Sequence, residues 1–188
     1  MRRGDRRGAG AVACPARKPP AGPHAGRRSH PPDAGRRSLV LTYLDASLIG
    51  SLLFKEAVSD RAFAVVLSWG ADIVVSDLAS AEVSSAVSRR FRMGLDSRIS
   101  ANALLSALDE FKSRLPAAAA LDAEDIRSAE QLVRTFELKL RTPDAIHAAV
   151  CLRHNYQLAT LDTGLADAAR LLGVVCINPA DEIGEQKN

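Results

Sequence analysis

Apolar positions follow two periods along this chain, and the two alternate. Leu39-Val40-Leu41-Thr42-Tyr43-Leu44 is a nearly unbroken apolar run of strand length, and helical spacing follows over 46–55 and 58–69. Ala71-Asp72-Ile73-Val74-Val75 is a second run, followed by a helical pattern over 78–92 that breaks at Gly94. A further helix is predicted over 97–114, where Leu104, Leu108, Phe111 and Leu115 share one face. Pro116 interrupts, and 117–121 reads as a short strand. From Asp122 a helix carries Ile126, Ala129, Leu132, Val133 and Phe136 on one face. Thr142-Pro143 predicts the next helix start, with Thr142 as N-cap and Pro143 at the first helical position, and that helix runs to about His154. A strand over 156–161, a short helix over 163–172 ended by Gly173, and a strand over 174–177 complete the pattern. Strands alternating with helices predict an α/β fold with one parallel sheet covered on both faces.

Four acidic residues fall at the junctions of this pattern. Asp45 ends the first apolar run and Asp162 ends the strand over 156–161. Asp144 lies in the first turn after Pro143, and Glu82 lies about one turn into the helix after the second strand. Each has an ordinary explanation alone. Asp45, Asp77 and Asp162 suit helix N-caps, Asp144 suits the helix dipole, and Glu82 suits a solvated face. Jointly they point elsewhere. A parallel sheet puts its strand ends and the starts of the following helices on one edge, where open α/β sheets bind ligands. Four carboxylates gathered there repel one another unless they share a cation, which predicts metal-dependent chemistry on a phosphate. Asp77, directly after the second strand, is assigned to capping, and Glu82 to the site.

Charge and cysteine content narrow the setting. Residues 1–37 carry a net +8 and the remaining 151 carry −5, so the sequence pI of about 9.0 belongs to the extension and the body is acidic. The extension is rich in Arg, Pro, Gly and Ala without apolar period, which predicts disorder. A nonessential extension, from a start assigned too far upstream, is expected in preference to a nucleic-acid-binding arm. The extension contains no apolar segment of signal-peptide length. Cys14, Cys151 and Cys176 are odd in number and lack metal-ligand spacing, against a zinc site or a disulfide framework. A cytoplasmic location is the default, and no run approaches the ~18 apolar residues of a membrane helix.

The motifs resemble those of PIN-domain ribonucleases, and more closely the VapC toxins of toxin–antitoxin pairs. Leu44-Asp45-Ala46-Ser47 is similar to the family's opening strand and D-x-S start, and Ser76-Asp77-Leu78-Ala79-Ser80-Ala81-Glu82 to its second motif. Asp144-Ala145-Ile146-His147-Ala148-Ala149 is similar to the D-A-I-H-x-A helix, Thr160-Leu161-Asp162 to T-x-D, and 169–173 to the A-x-x-L-G ending. The resemblance covers about residues 39–180. It implies a PIN-like three-layer sandwich with about five strands, formed by 38–188 as a single domain. It further implies a Mg²⁺-dependent endoribonuclease, with Mn²⁺ as the alternative ion, leaving 5′-phosphate and 3′-hydroxyl ends. The implied partners are RNA, a nearby-encoded VapB-like antitoxin that inserts a helix, an extended segment and an arginine into the acidic groove, and a second copy of the chain, through helices within about 58–114.

Within that frame Asp45 and Asp144 are the expected direct metal ligands, and Glu82 and Asp162 complete the shell. Ser47 and Thr160 serve either as supports of the carboxylates or as local caps. His147 is expected to be a packed histidine donating one hydrogen bond. Arg89, Arg90, Arg92 and Arg98 are candidates for RNA phosphates or, equally, for the helix dipole. Two other readings carry less. An aspartyl-phosphate phosphotransferase needs companions that Thr42, Tyr43, Leu44 and Ser47 do not supply, and a catalytically idle PIN-fold binding protein should have lost one of the acids.

Overall fold

The computed structural model describes residues 40–181 apart from Glu56, Ala71, Pro116 and Ala117. The basic extension with Cys14, Leu39 of the first predicted strand and the Pro116 break lie outside the described residues. The chain runs β1 (Thr42–Leu44), α1 (Ala46–Phe54), α2 (Ser59–Trp69), β2 (Ile73–Ser76), α3 (Asp77–Arg92) and α4 (Arg98–Ser113). It continues β3 (Ala118–Ala119), α5 (Ala123–Arg134), a 3₁₀ turn (Phe136–Leu138), α6 (Thr142–His154), β4 (Gln157–Ala159), α7 (Thr163–Leu171) and β5 (Cys176–Ile177). The strands form one parallel sheet in the order β3-β2-β1-β4-β5.

Alternation along the strands divides the core into two layers. Tyr43, Val74 and Leu158 pack on one face with Ala129 of α5, Ala145 to Cys151 of α6 and Leu165, Ala168 and Ala169 of α7. Leu44, Ile73, Val75 and Ala159 face the other way, onto Leu48 and Ile49 of α1, Ala62 and Val66 of α2, Val83 of α3 and Leu108 of α4. Both faces of the strands are therefore apolar, which is why their sequence reads as unbroken runs. The α/β sandwich predicted from the alternation is the observed architecture. In α6 seven consecutive residues from Ala145 to Cys151 are buried, and its alanines let the helix lie close to the sheet.

Local differences from the sequence reading have local causes. Asp77 does not cap α3. β2 runs through Ser76, whose extended backbone makes it the N-cap, and its Oγ accepts the Ala79 N–H at 3.1 Å. Asp77 is already helical, and its side chain is 80% exposed beside Lys112. The cap of α6 is likewise one residue earlier than expected. Arg141 has the extended backbone, Thr142 is the first helical residue and Pro143 the second. Ile126 and Phe136 are exposed, the first because Asp125 and Ala129 take the inner face of α5, the second because α5 ends at Arg134. Gly173 ends α7 as expected, with a left-handed backbone at φ +79°.

Candidate active site

The strand order puts a reversal between β1 and β4, since the chain leaves β1 toward β2 and returns past it to β4. Ligand crevices of open α/β sheets lie outside the carboxyl ends of the strands at such a reversal. Asp45 follows β1 there, and its N–H donates to the Ala159 carbonyl at the end of β4, 3.0 Å away. A cleft of about 400 Å³ opens at this edge, lined by all four predicted acids, Asp45, Glu82, Asp144 and Asp162. Arg89 and Arg141 also line it.

Asp45 is 5% exposed and heavily hydrogen-bonded. Its Oδ1 accepts the Ala46 N–H at 2.6 Å, and its Oδ2 accepts from Ser47 N, Ser47 Oγ and Thr160 Oγ1 at 3.2, 2.5 and 2.8 Å. Capping of α1 and membership of the cleft are thus one arrangement, not competing explanations. Ser47 and Thr160 hold the carboxylate and also tie the next strand to it, because Ser47 Oγ accepts the Leu161 N–H and Thr160 Oγ1 accepts the Asp162 N–H, both at 2.9 Å. Asp162 caps α7 with Oδ1, which accepts the Leu165 N–H at 2.9 Å.

His147 is packed, as expected, and its hydrogen bond goes to one of the four acids. It is 1% exposed, yet both ring nitrogens work. Nδ1 lies 2.7 Å from the Tyr43 hydroxyl, and Nε2 lies 2.6 Å from Glu82 Oε2 and 3.3 Å from Asp45 Oδ1. Burial pulls the imidazole pKa down, but the hydrogen bond to Glu82 and the charges of Asp45, Glu82 and Asp144 outweigh it, so the pKa stands above the ordinary value. Asp45, Glu82 and His147 offer ligand atoms within 4.8 Å of one another. The donor set, dominated by carboxylate oxygens in a cleft open to water, fits a hard divalent cation.

Comparisons with known proteins place the fold. The family model described as the PIN domain matches residues 42–171, a span that contains all four acids. The chain belongs to the PIN-domain family. Its fold is similar to FitAcB from Neisseria gonorrhoeae, with a TM-score of 0.58 at 22% identity, covering 74% of this chain and 99% of that one. It is also similar to VapBC2 from Rickettsia felis bound to a promoter DNA fragment, with TM-score 0.56, 20% identity and 73% and 98% coverage. A third similar structure is Mycobacterium tuberculosis VapC20, a sarcin-ricin loop cleaving toxin, with TM-score 0.54, 21% identity and 68% and 94% coverage. No curated protein sequence matches the chain.

Two features of this PIN domain were not anticipated from its sequence. Arg141 Nε donates to Asp144 Oδ2 at 3.0 Å and its Nη2 to Asp162 Oδ2 at 3.4 Å, so one guanidinium spans two of the acids. Its signal was position alone, three residues before Asp144 at a helix start. The second is the Tyr43–Ser76 pair behind His147, at 2.6 Å, for which a polar-tipped Tyr in a central strand was the clue. The predicted basic cluster does not act as a unit. Arg90 pairs with Asp96 at 2.6 Å, Arg92 with Ser88 Oγ at 2.6 Å, and Arg98 lies over the Phe91 ring. Of the four, Arg89 alone lines the cleft.

Proposed function

We propose that the chain is the toxin of a toxin–antitoxin pair, a divalent-metal-dependent endoribonuclease that hydrolyses RNA phosphodiesters. The observation that carries this reading is the convergence of Asp45, Glu82, Asp144 and Asp162 on one cleft at the carboxyl edge of a PIN sheet. Asp45 and Asp144 are the proposed direct ligands of Mg²⁺ or Mn²⁺, with Glu82 and Asp162 completing the shell. A divalent ion there supplies the charge that binds a phosphate oxygen and activates water for attack on phosphorus. The chain does the rest. Ser47 and Thr160 hold the Asp45 carboxyl oriented, His147 fixes Glu82 through its Nε2, and Asp162 is held by the start of α7. VapC20, a fold neighbour, is a toxin that cleaves the sarcin-ricin loop, which supports RNA as the substrate class.

The partner reading has its own support. An apolar groove of about 380 Å³ between α1, α2 and α4 is lined by Leu52, Leu53, Phe63, Leu67 and Phe111, and suits an antitoxin helix. Phe63, Leu67 and Ile99 are exposed on helices within 58–114, consistent with a homodimer or a hetero-oligomer with the antitoxin. Among the described residues no helix is long and apolar enough to cross a membrane. The test is inducible expression of the chain beside its Asp45→Asn variant, with RNA cleavage assayed with and without Mg²⁺. Growth arrest and Mg²⁺-dependent cleavage by the parent, at least ~100-fold above the variant, are expected. Equal toxicity of the two would sink the metal mechanism.

A further inference from the structure

The cleft has a charge problem that the four acids alone do not solve. Its lining carries four carboxylates against two guanidiniums, so it stands formally at −2, and one divalent ion brings it to zero. A phosphodiester brings a further negative charge. Seating it calls on the cations of the cleft, Arg89 and Arg141, and of the two only Arg141 is paired with the acids an ion would take.

Arg141 has the properties this needs. Its backbone is fixed, because it is the N-cap of α6, its N–H donates to Asp144 Oδ2 at 3.3 Å and its carbonyl accepts the Ala145 N–H at 2.9 Å. Its side chain is loose by comparison, 76% exposed and held by one contact at 3.0 Å and one at 3.4 Å. Exposed ion pairs of this kind are weakly bound and exchange readily. Among the described residues Nη1 has no acceptor, so the planar fork still has donors to offer. A guanidinium matches two phosphate oxygens as well as it matches carboxylates. Any ion that takes Asp144 or Asp162 competes directly with Arg141.

We propose that Arg141 seats the RNA phosphate in this cleft: it neutralises Asp144 and Asp162 before an ion binds, yields them to the ion, and turns its guanidinium onto the phosphodiester. This rests on the reading that the cleft binds a divalent ion and RNA. Ion binding then licenses substrate binding, because the same event fills the acidic site and releases the phosphate-binding cation.

The test uses the full chain and its Arg141→Ala and Arg141→Lys variants. Mn²⁺ binding is followed by electron paramagnetic resonance. Binding of a short, mixed-sequence, fluorescein-labelled RNA is followed by anisotropy in Ca²⁺ over a salt series. Arg141→Ala should bind Mn²⁺ about fivefold more tightly, since an exposed competing charge is gone. It should bind RNA about five- to tenfold more weakly, with a salt slope shallower by about 0.7, one phosphate contact on a single strand. Arg141→Lys should restore the slope but only part of the affinity. Tighter Mn²⁺ binding with RNA affinity and slope unchanged would make Arg141 a counter-ion only and overturn the proposal. Weaker Mn²⁺ binding would overturn it differently, by showing that Arg141 orients Asp144 for the ion. If the parent shows the Arg141-dependent RNA slope but cleaves no RNA in Mn²⁺, the nuclease reading fails and the phosphate seat stands. If the parent binds neither Mn²⁺ nor RNA, both fail.

Discussion

Tyr43 shows how one buried side chain sets up a site it does not enter. It is 0% exposed in the central strand, and burial pushes its phenol pKa well above the ordinary value, so it keeps its proton. It belongs to a buried chain of contacts. The Ala79 N–H donates to Ser76 Oγ, the Tyr43 hydroxyl is hydrogen-bonded to both Ser76 Oγ and His147 Nδ1, and His147 Nε2 is hydrogen-bonded to Glu82 Oε2. The chain runs from the cap of α3 to a carboxylate of the cleft. Tyr43→Phe keeps the ring but strands the His147 nitrogen and the Ser76 hydroxyl, which should cost about 1–3 kcal/mol in urea unfolding. It should also lower Mn²⁺ affinity roughly tenfold, because nothing then holds the His147 ring in place against Glu82. Unchanged stability would show that the network does not run this way.

At the scale of elements, helix starts do double duty as site builders. α1, α6 and α7 begin at this cleft, and Asp45, Asp144 and Asp162 each accept a backbone N–H there. α3 differs, and its start separates two neighbours. Ser76→Ala should destabilise by about 1–2 kcal/mol, losing the cap and the Tyr43 contact, whereas Asp77→Ala should cost about 0.5 kcal/mol. Comparable losses in thermal unfolding would contradict the assignment of the cap to Ser76. The sequence made the alternation legible because buried parallel strands must be apolar on both faces. It made the four acids legible because they follow strand ends or open helices, where the sheet edge gathers them. The cap of α3 shifted by one residue because Ser76 and Asp77 have nearly equal capping chemistry, and only the backbone conformation separates them. Arg141 and the role of His147 were not legible, because pairings with Asp162, Tyr43 and Glu82 span 21, 104 and 65 positions and leave no periodic trace.

At the scale of the whole molecule, α5 and α6 are joined by an ion pair between a buried acid and a guanidinium at the surface. Asp125 of α5 is 1% exposed and accepts from Arg153 Nε and Nη2 of α6 at 2.6 and 2.7 Å. Burial raises the Asp125 pKa, but the Arg153 hydrogen bonds, the Asp122 backbone N–H and nearby positive charge outweigh it and hold it below the ordinary carboxyl value. A depressed carboxyl pKa gives stability that is present above the unfolded value and lost as pH falls through the folded one. Acid unfolding should therefore steepen below about pH 4 in the parent and flatten in Asp125→Asn, which should cost about 1–2 kcal/mol at neutral pH. An unaltered acid limb in the variant, followed by circular dichroism, would refute the link.

The strand order also bears on timing. Thr42 pairs with Ile73 early in the chain, but its other neighbour is Gln157, 115 positions away. Such distant pairings form late, after the loop between them has closed. Asp45 and Glu82 come together with the first two strands, while Asp144 and Asp162 arrive only with α6 and the end of β4. A ribosome making this protein therefore releases Asp45 and Glu82 well ahead of Asp144 and Asp162, and the nascent chain completes the acidic cleft only after β4 has emerged.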